Sequence, residues 1–181
     1  MRIIGGKFKG RVLAAFDGEN VRPTSDRARE ALFNILFLKV RGARVLDLFS
    51  GSGALGIESL SRGAEEVVFN DLSKDSVAIL KKNLALLKMD ERTRVAISQK
   101  DYLACLDSLS GGFDIIFIDP PYRFDYGKTA LERIVKRGLL KDDGIVVYER
   151  DCAFDGAVDG LEKYDERKYG KAIFSFFKKA E

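Results

Sequence analysis

The feature that most restricts the fold is Val45-Leu46-Asp47-Leu48-Phe49, an apolar run carrying one acid, which passes directly into Ser50-Gly51-Ser52-Gly53-Ala54-Leu55-Gly56. Glycines 51, 53 and 56 spell GxGxxG, and a strand that turns on such glycines into a helix opens a Rossmann-like βαβ unit. A second apolar run, Val67-Val68-Phe69-Asn70, ends on Asp71, 20 positions after Gly51. Glycine there lets a ligand approach the backbone closely, and an acid at that distance can accept hydrogen bonds from ribose hydroxyls.

The rest of the chain keeps the alternation. Ser73 caps a helix in which Val77, Leu80, Leu84 and Leu87 recur at helical spacing, and Val95-Ala96-Ile97 is a short third strand with Asp101 and Tyr102 just past its end. Phe113 to Ile118 is the fourth strand, a helix runs through Leu131, Ile134 and Val135, and Gly144 to Glu149 is the fifth strand. Residues 161–167 and 172–177 form a closing hairpin around Tyr169-Gly170. This order predicts an α/β, Rossmann-like fold: a mostly parallel seven-stranded sheet, helices on both faces, and a C-terminal antiparallel hairpin.

A length of 181 residues suits one such domain and a small appendage. The appendage falls at residues 1–20, a basic β-hairpin arm expected to stand off a Rossmann-like body of residues 21–181, with a soft boundary between Gly18 and Pro23. Residues 1–44 hold ten Lys or Arg against four Asp or Glu, so the basic surplus of this +3 chain is N-terminal. Lys7, Lys9 and Arg11 are interleaved there with glycines and apolar residues, which suits an RNA-phosphate grip as well as a solvated edge. Beyond it, Thr24 or Ser25 caps a helix whose Ala28, Ala31, Leu32, Ile35 and Leu36 face the core. Arg22, Arg27 and Arg29 fall on or near its other face, where solvated arginines are expected.

Absences narrow the chemistry. The chain has no histidine, which removes Ser-His-Asp hydrolysis, Cys-His proteolysis and the His-Cys-Cys zinc deaminases. Cys105 and Cys152 are far apart and without histidine partners, so neither a disulfide framework nor a metal site is expected. The N-terminus has no signal-peptide core and no stretch is long and apolar enough to span a bilayer, so a cytoplasmic location and no membrane association are expected.

Alone, the glycine turn and Asp71 suit a nicotinamide dinucleotide as readily as S-adenosylmethionine. Asp47 favours the second, because a carboxylate attracts the cationic aminoacyl end of adenosylmethionine and repels a pyrophosphate. Asp101 is placed to accept from an adenine amino group, and Phe49, Leu72 and Tyr102 complete the candidate cofactor set. The remaining signal is Asp119-Pro120-Pro121-Tyr122, where two prolines stiffen the chain as the fourth strand stops. By itself this is also explicable as a rigid loop. An exocyclic purine amine is a poor nucleophile because its lone pair is delocalised into the ring. Acceptors at Asp119 and the Pro120 carbonyl would turn that lone pair toward an activated methyl group, and Asp119 can receive or relay the released proton. Tyr122 offers a stacking face worth on the order of 1 to 3 kcal/mol. The tetrapeptide leaves guanine and adenine both open, so an adenine-N6 methyltransferase stands beside the guanine reading. A NAD-dependent oxidoreductase, which leaves the tetrapeptide idle, and a non-catalytic RNA-binding module are the readings from other classes.

Asp47-Leu-Phe-Ser-Gly-Ser-Gly-Ala-Leu-Gly-Ile-Glu58, Asp119-Pro-Pro-Tyr122, the opening Met1-Arg-Ile-Ile-Gly-Gly-Lys7 with Gly10-Arg11, and Arg22-Pro-Thr-Ser-Asp-Arg-Ala-Arg-Glu-Ala-Leu-Phe-Asn-Ile-Leu36 together resemble the RsmD family of 16S ribosomal RNA guanine-N2 methyltransferases. The resemblance spans nearly the whole chain. It implies S-adenosylmethionine as cofactor, with Asp47, Gly51, Gly53, Asp71 and Asp101 at cofactor positions and Asp119 to Tyr122 at catalytic ones. It implies small-subunit ribosomal RNA or a ribosomal assembly intermediate as partner; a monomer is expected, and the mechanism needs no metal. Lys7, Lys9, Arg11, Arg22, Thr24 and Arg123 are the candidate substrate contacts, with Lys168 and Lys171 beside them. One departure is Asp71, where the family more often has Glu.

Overall fold

The computed structural model describes residues 1–16, 25–121 and 126–181. Apolar runs that alternate with helical periods have one economical arrangement, a central sheet with a helix layer on each face. The chain takes it, in the order α1 (Asp26–Ile35), α2 (Phe37–Val40), β1 (Arg44–Asp47), α3 (Ala54–Ser61), β2 (Glu66–Asn70), α4 (Lys74–Ala85), β3 (Arg94–Ser98), α5 (Tyr102–Ser108), β4 (Phe113–Ile118), α6 (Tyr126–Lys136), β5 (Leu140–Arg150), β6 (Leu161–Tyr169) and β7 (Ala172–Lys179). The seven strands lie in the order β3-β2-β1-β4-β5-β7-β6. Neighbours from β3 to β5 pair in parallel, whereas β7 runs antiparallel to both β5 and β6. The expected α/β sheet and terminal hairpin are therefore present.

Alternation along each central strand decides which helices cover which face. Val45, Ile115, Phe117 and Val147 point into one core with α1, α3 and α4, while Leu46, Ile116, Ile118, Val146 and Tyr148 point into the other with α5 and α6. Central strands buried on both sides read as continuous apolar runs, which is why β4 is Phe-Asp-Ile-Ile-Phe-Ile. The outer strand β6, Leu-Glu-Lys-Tyr-Asp-Glu-Arg-Lys-Tyr, is charged and largely exposed, as an edge that must not recruit another strand should be. Among the described residues no helix is long and apolar enough to cross a membrane.

Residues 1–13 do not stand off this body. They close a short antiparallel contact at Arg2 and Val12, and Ile3, Phe8 and Leu13 are buried in the core shared by α1, α3 and α4. The hold is polar as well. Both oxygens of the buried Glu58 carboxylate accept backbone N–H groups, from Ile4 and Gly5 at 2.8 Å, and Arg62 balances the charge at 2.8 Å. Ser61 accepts from the Phe8 amide at 2.9 Å with its hydroxyl and from the Lys7 amide at 2.7 Å with its carbonyl. The expected boundary at 18–23 lies outside the described residues. Arg29 also departs from expectation: it is buried, donating to the Arg2 carbonyl and the Asp26 carboxylate, because the N-terminal segment covers the face of α1 that would otherwise be solvated.

Two glycines of that segment separate steric demand from backbone demand. Gly6 has φ 76°, and a Cβ on it would sit 1.9 Å from the Ser61 carbonyl oxygen; Gly10 has φ 84° with nothing within 4 Å. Gly10→Ala should cost only the left-handed backbone penalty, about 1 to 2 kcal/mol. Gly6→Ala should cost clearly more, about 3 kcal/mol or above, because the segment must also lift off α3. Urea unfolding of the two variants checks this, and equal losses would mean that the segment is not held against α3 at Gly6.

Candidate active site at the carboxyl edge of the sheet

Four acids line up because four neighbouring parallel strands stop at the same edge. The order β3-β2-β1-β4 sets Asp101, Asp71, Asp47 and Asp119 in a row, each at or just past the end of its strand. At about 4.8 Å per strand the row spans about 14 Å, the scale of an extended nucleoside with a short tail.

The glycine turn sits in the middle of the row. Gly51 and Gly53 take φ values of 52° and 89°, which side-chain-bearing residues avoid. Gly56 answers a different need, since a Cβ on it would lie 2.1 Å from the Phe69 ring and push α3 away from β2. Asp71 braces the turn by accepting from the Gly51 amide at 2.8 Å with one oxygen and from the Ser73 amide at 2.9 Å with the other. Beside it the Ser50 hydroxyl is buried without a hydrogen-bond partner among the described residues. A polar ligand in the turn would satisfy that orphan, and two acids with further acceptor capacity suit hydroxyls and an ammonium group.

Asp47 is 2% exposed and accepts from the Gly56 amide at 2.9 Å. Burial pushes its pKa up to about 7, with the Asp71 charge adding to the rise and the Gly56 amide opposing it. Asp119 is half-buried at the end of β4, followed by a buried Pro120 and an exposed Pro121. Its pKa is raised well above the usual carboxylate range, by burial first and then by the charges of Glu149 and Asp47. The register explains the grouping: Asp47 pairs with Phe117 and Phe117 with Val147, so alternation puts Asp47, Asp119 and Glu149 on one face of β1, β4 and β5.

Asp101 has a structural role of its own. It caps α5, accepting from the Leu103 amide at 2.9 Å, and this helix was not anticipated from the sequence because it is a single short run of seven residues. Tyr102 begins that helix, with its hydroxyl bonded to Thr129 of α6, and its pKa is raised chiefly by burial and then by Asp101. Its ring lies 5.4 Å from Phe49 and 5.1 Å from Tyr126, and Phe49 and Tyr126 are parallel within 5° at 6.3 Å. Three rings thus wall the site between the Asp101 and Asp119 loops. Leu72 is exposed beside Asp71.

The candidate substrate contacts divide. Lys9 is exposed, while Lys7 pairs with Asp90 at 2.8 Å and Arg11 bonds the Leu86 carbonyl, both over the Phe8 ring. Lys168 and Lys171 flank the turn between β6 and β7, at the same edge as the acids because β7 starts opposite Arg150, where β5 ends. Tyr122, Arg123, Arg22 and Thr24 lie outside the described residues.

Sequence reasoning passed over Tyr126, Asn70, Asn83 and Glu149. Glu149 had a usable signal, since it closes an apolar run as Asp47 and Asp119 do. Asn70 binds the Leu48 and Lys100 carbonyls at 3.2 and 3.1 Å and accepts from the Lys100 amide, tying the ends of β1 and β3 together; a lone Asn in a strand carries no mark of this.

Comparison with known proteins agrees with this architecture. The family model described as Conserved hypothetical protein 95 matches residues 1–178. The chain is 36% identical over 182 residues, 99% of each chain, to "Putative rRNA methyltransferase YlbH" of Bacillus subtilis. It is 37% identical to "Ribosomal RNA small subunit methyltransferase D" of Haemophilus influenzae, over 83% of this chain and 79% of that one. Among solved structures it is similar to "Putative methyltransferase yhhF" of Escherichia coli, at 33% identity and a TM-score of 0.84, covering 99% of this chain and 97% of that one.

The raised Asp47 value fixes a pH dependence. The folded chain holds a proton there that the unfolded chain, near 3.8, releases, so stability is lost as pH rises from about 4 to about 7. Asp47→Asn keeps an acceptor for the Gly56 amide and cannot ionise. Thermal unfolding should show the variant gaining on the native chain by several degrees between pH 5 and pH 8. A gap that does not change with pH would show that Asp47 ionises normally.

Proposed function

Because the chain belongs to the Conserved hypothetical protein 95 family, which includes the small-subunit methyltransferase D relatives, we propose that it transfers a methyl group from S-adenosylmethionine to the exocyclic N2 amine of a guanine in 16S, small-subunit ribosomal RNA. The observation that carries the reading is that Asp119-Pro120 ends the strand next to the one bearing Asp47 and the glycine turn. An amine acceptor and an acid-lined nucleoside site are then one strand apart.

When bound, adenosylmethionine supplies a methyl group on a positively charged sulfur. Asp47, poised near neutrality by burial, ionises beside the ligand's ammonium group, which relieves the cost of its own desolvation. Asp71 has lone pairs beyond those taken by Gly51 and Ser73 for the ribose hydroxyls, and Asp101, bonded among the described residues only at its cap, accepts from the adenine amine. Phe49, Leu72 and Tyr102 give that end apolar surface. On the substrate side, the Asp119 carboxylate and the Pro120 carbonyl hold the two amine hydrogens, and Tyr122 stacks on the extruded base. The raised pKa of Asp119 suits it to take the proton lost as the N–C bond forms. Guanine rather than adenine rests on the family alone, because two acceptors recognise an amine and not a particular purine. Lys7, Lys9, Arg11, Arg22, Thr24, Arg123, Lys168 and Lys171 are assigned to the RNA.

Asp119→Ala should lower methyl transfer by roughly 10²-fold or more while adenosylhomocysteine affinity stays within about threefold, measured by turnover and by calorimetry. A variant with native turnover would sink the mechanism. Replacing Lys7, Lys9 and Arg11 with Gln should weaken RNA binding and flatten the slope of log affinity against log salt by about 2. An unchanged slope would make the segment purely structural. Mass mapping of ribosomal RNA from cells lacking the gene tests the base itself.

A further inference from the structure

The N-terminal segment and the glycine turn meet through one side chain that neither the motif nor the family reading assigns. Asn83, on α4 and wholly buried, accepts from the Ala14 amide at 2.8 Å through Oδ1 and donates through Nδ2 to the Ala14 carbonyl at 3.0 Å and the Ser52 carbonyl at 2.9 Å. Its acceptor and both donors are engaged, so the carboxamide acts as a short strand inserted between two loops. The Ser52 carbonyl belongs to the peptide that joins Ser52 to Gly53. Gly53, whose φ of 89° is one of the two torsions a flip of that peptide would change, tolerates either orientation, so holding the Ser52 oxygen is what selects one of them. Phe16, two residues beyond Ala14, lies 3.9 Å from where a Gly51 Cβ would be, and the Ser52 hydroxyl reaches the Met1 sulfur at 4.0 Å.

We infer that Asn83 is a positioning residue that locks the glycine turn in its ligand-ready form and makes that lock depend on the docked N-terminal segment, so that segment and cofactor turn order as one unit. The functional consequence rests on the reading of the turn as the cofactor site; the mechanical coupling does not. Leu in place of Asn83 leaves three backbone groups without their partner, whereas Pro in place of Ala14 removes the segment's amide and constrains the backbone at 13 and 14 while changing no residue of the turn.

The decisive measurement is hydrogen exchange of the full unliganded chain at the Gly51 and Gly53 amides, which are bonded to Asp71 and to the Ser50 carbonyl. Exchange there should rise about tenfold or more in both Asn83→Leu and Ala14→Pro, with the Ile116 and Phe117 amides of β4 unchanged. Adenosylhomocysteine affinity, by calorimetry, should fall about tenfold in both. If Ala14→Pro leaves Gly51 and Gly53 as protected as in the native chain, the segment does not support the turn and the inference is overturned, whatever Asn83→Leu does. Should Asn83→Leu fail to fold, Ala14→Pro decides alone. If the native chain does not bind adenosylhomocysteine, the proposed function fails, while exchange in Ala14→Pro still decides the coupling.

Discussion

Negative charge gathered at one edge of the sheet is the constraint on which the site depends. Asp47, Asp119 and Glu149 end three neighbouring strands on a single face, and Asp47 and Glu149 are each 2% exposed. Burying carboxylates costs several kcal/mol per charge unless partners compensate, and among the described residues Asp47 is met by a single backbone amide. The unliganded fold responds by holding protons, which is the origin of the raised pKa values of Asp47 and Asp119. A cationic ligand beside them reverses the response. Stability and ligand binding therefore draw on the same electrostatic term with opposite sign, and a site that is costly in the empty protein is preorganised for a ligand that brings positive charge.

The same protein also shows how a buried acid is handled when it only has to hold the fold. Glu58 lies in the helix that starts at the glycine turn, as buried as Asp47, yet its oxygens meet two backbone amides and a guanidinium, and no ligand is needed to settle it. Its task is to fasten the N-terminal segment onto α3. With Ser61 and Asn83 adding their own hydrogen bonds, the segment is stitched along one side of the glycine turn from Ile4 to Ala14. That arrangement brings basic residues expected to contact RNA into mechanical contact with the loop expected to contact the cofactor.

Much of this was readable in advance, for definite reasons. Parallel strands covered on both faces must be apolar throughout, so β1, β2, β4 and β5 announced themselves, and the left-handed turn could be built only with glycine. Strand ends carrying acids marked the site one loop at a time. What escaped were features without local signature. Helix α5 is too short for periodicity to register and depends on the Asp101 cap. Arg29 looked like an exposed helix residue until the N-terminal segment covered it. Tyr126, four residues past the Asp119 tetrapeptide, joins the aromatic wall only because α6 packs beside α5, and Asn70 and Asn83 act on carbonyls more than twenty positions away.

Sequence alone determined the architecture and the chemistry of each loop, because backbone conformation, strand burial and the acid or proline at a strand end are local matters. Tertiary structure decided which loops became neighbours. The order β3-β2-β1-β4-β5 is a property of crossovers, not of residues, and it alone puts the Asp119 loop beside the glycine turn and Glu149 beside Asp119. It also decided that the basic segment would pack beside the glycine turn, joined to it through Asn83. Three apolar side chains spaced along a glycine-rich stretch find their burial only against helices contributed from elsewhere in the chain.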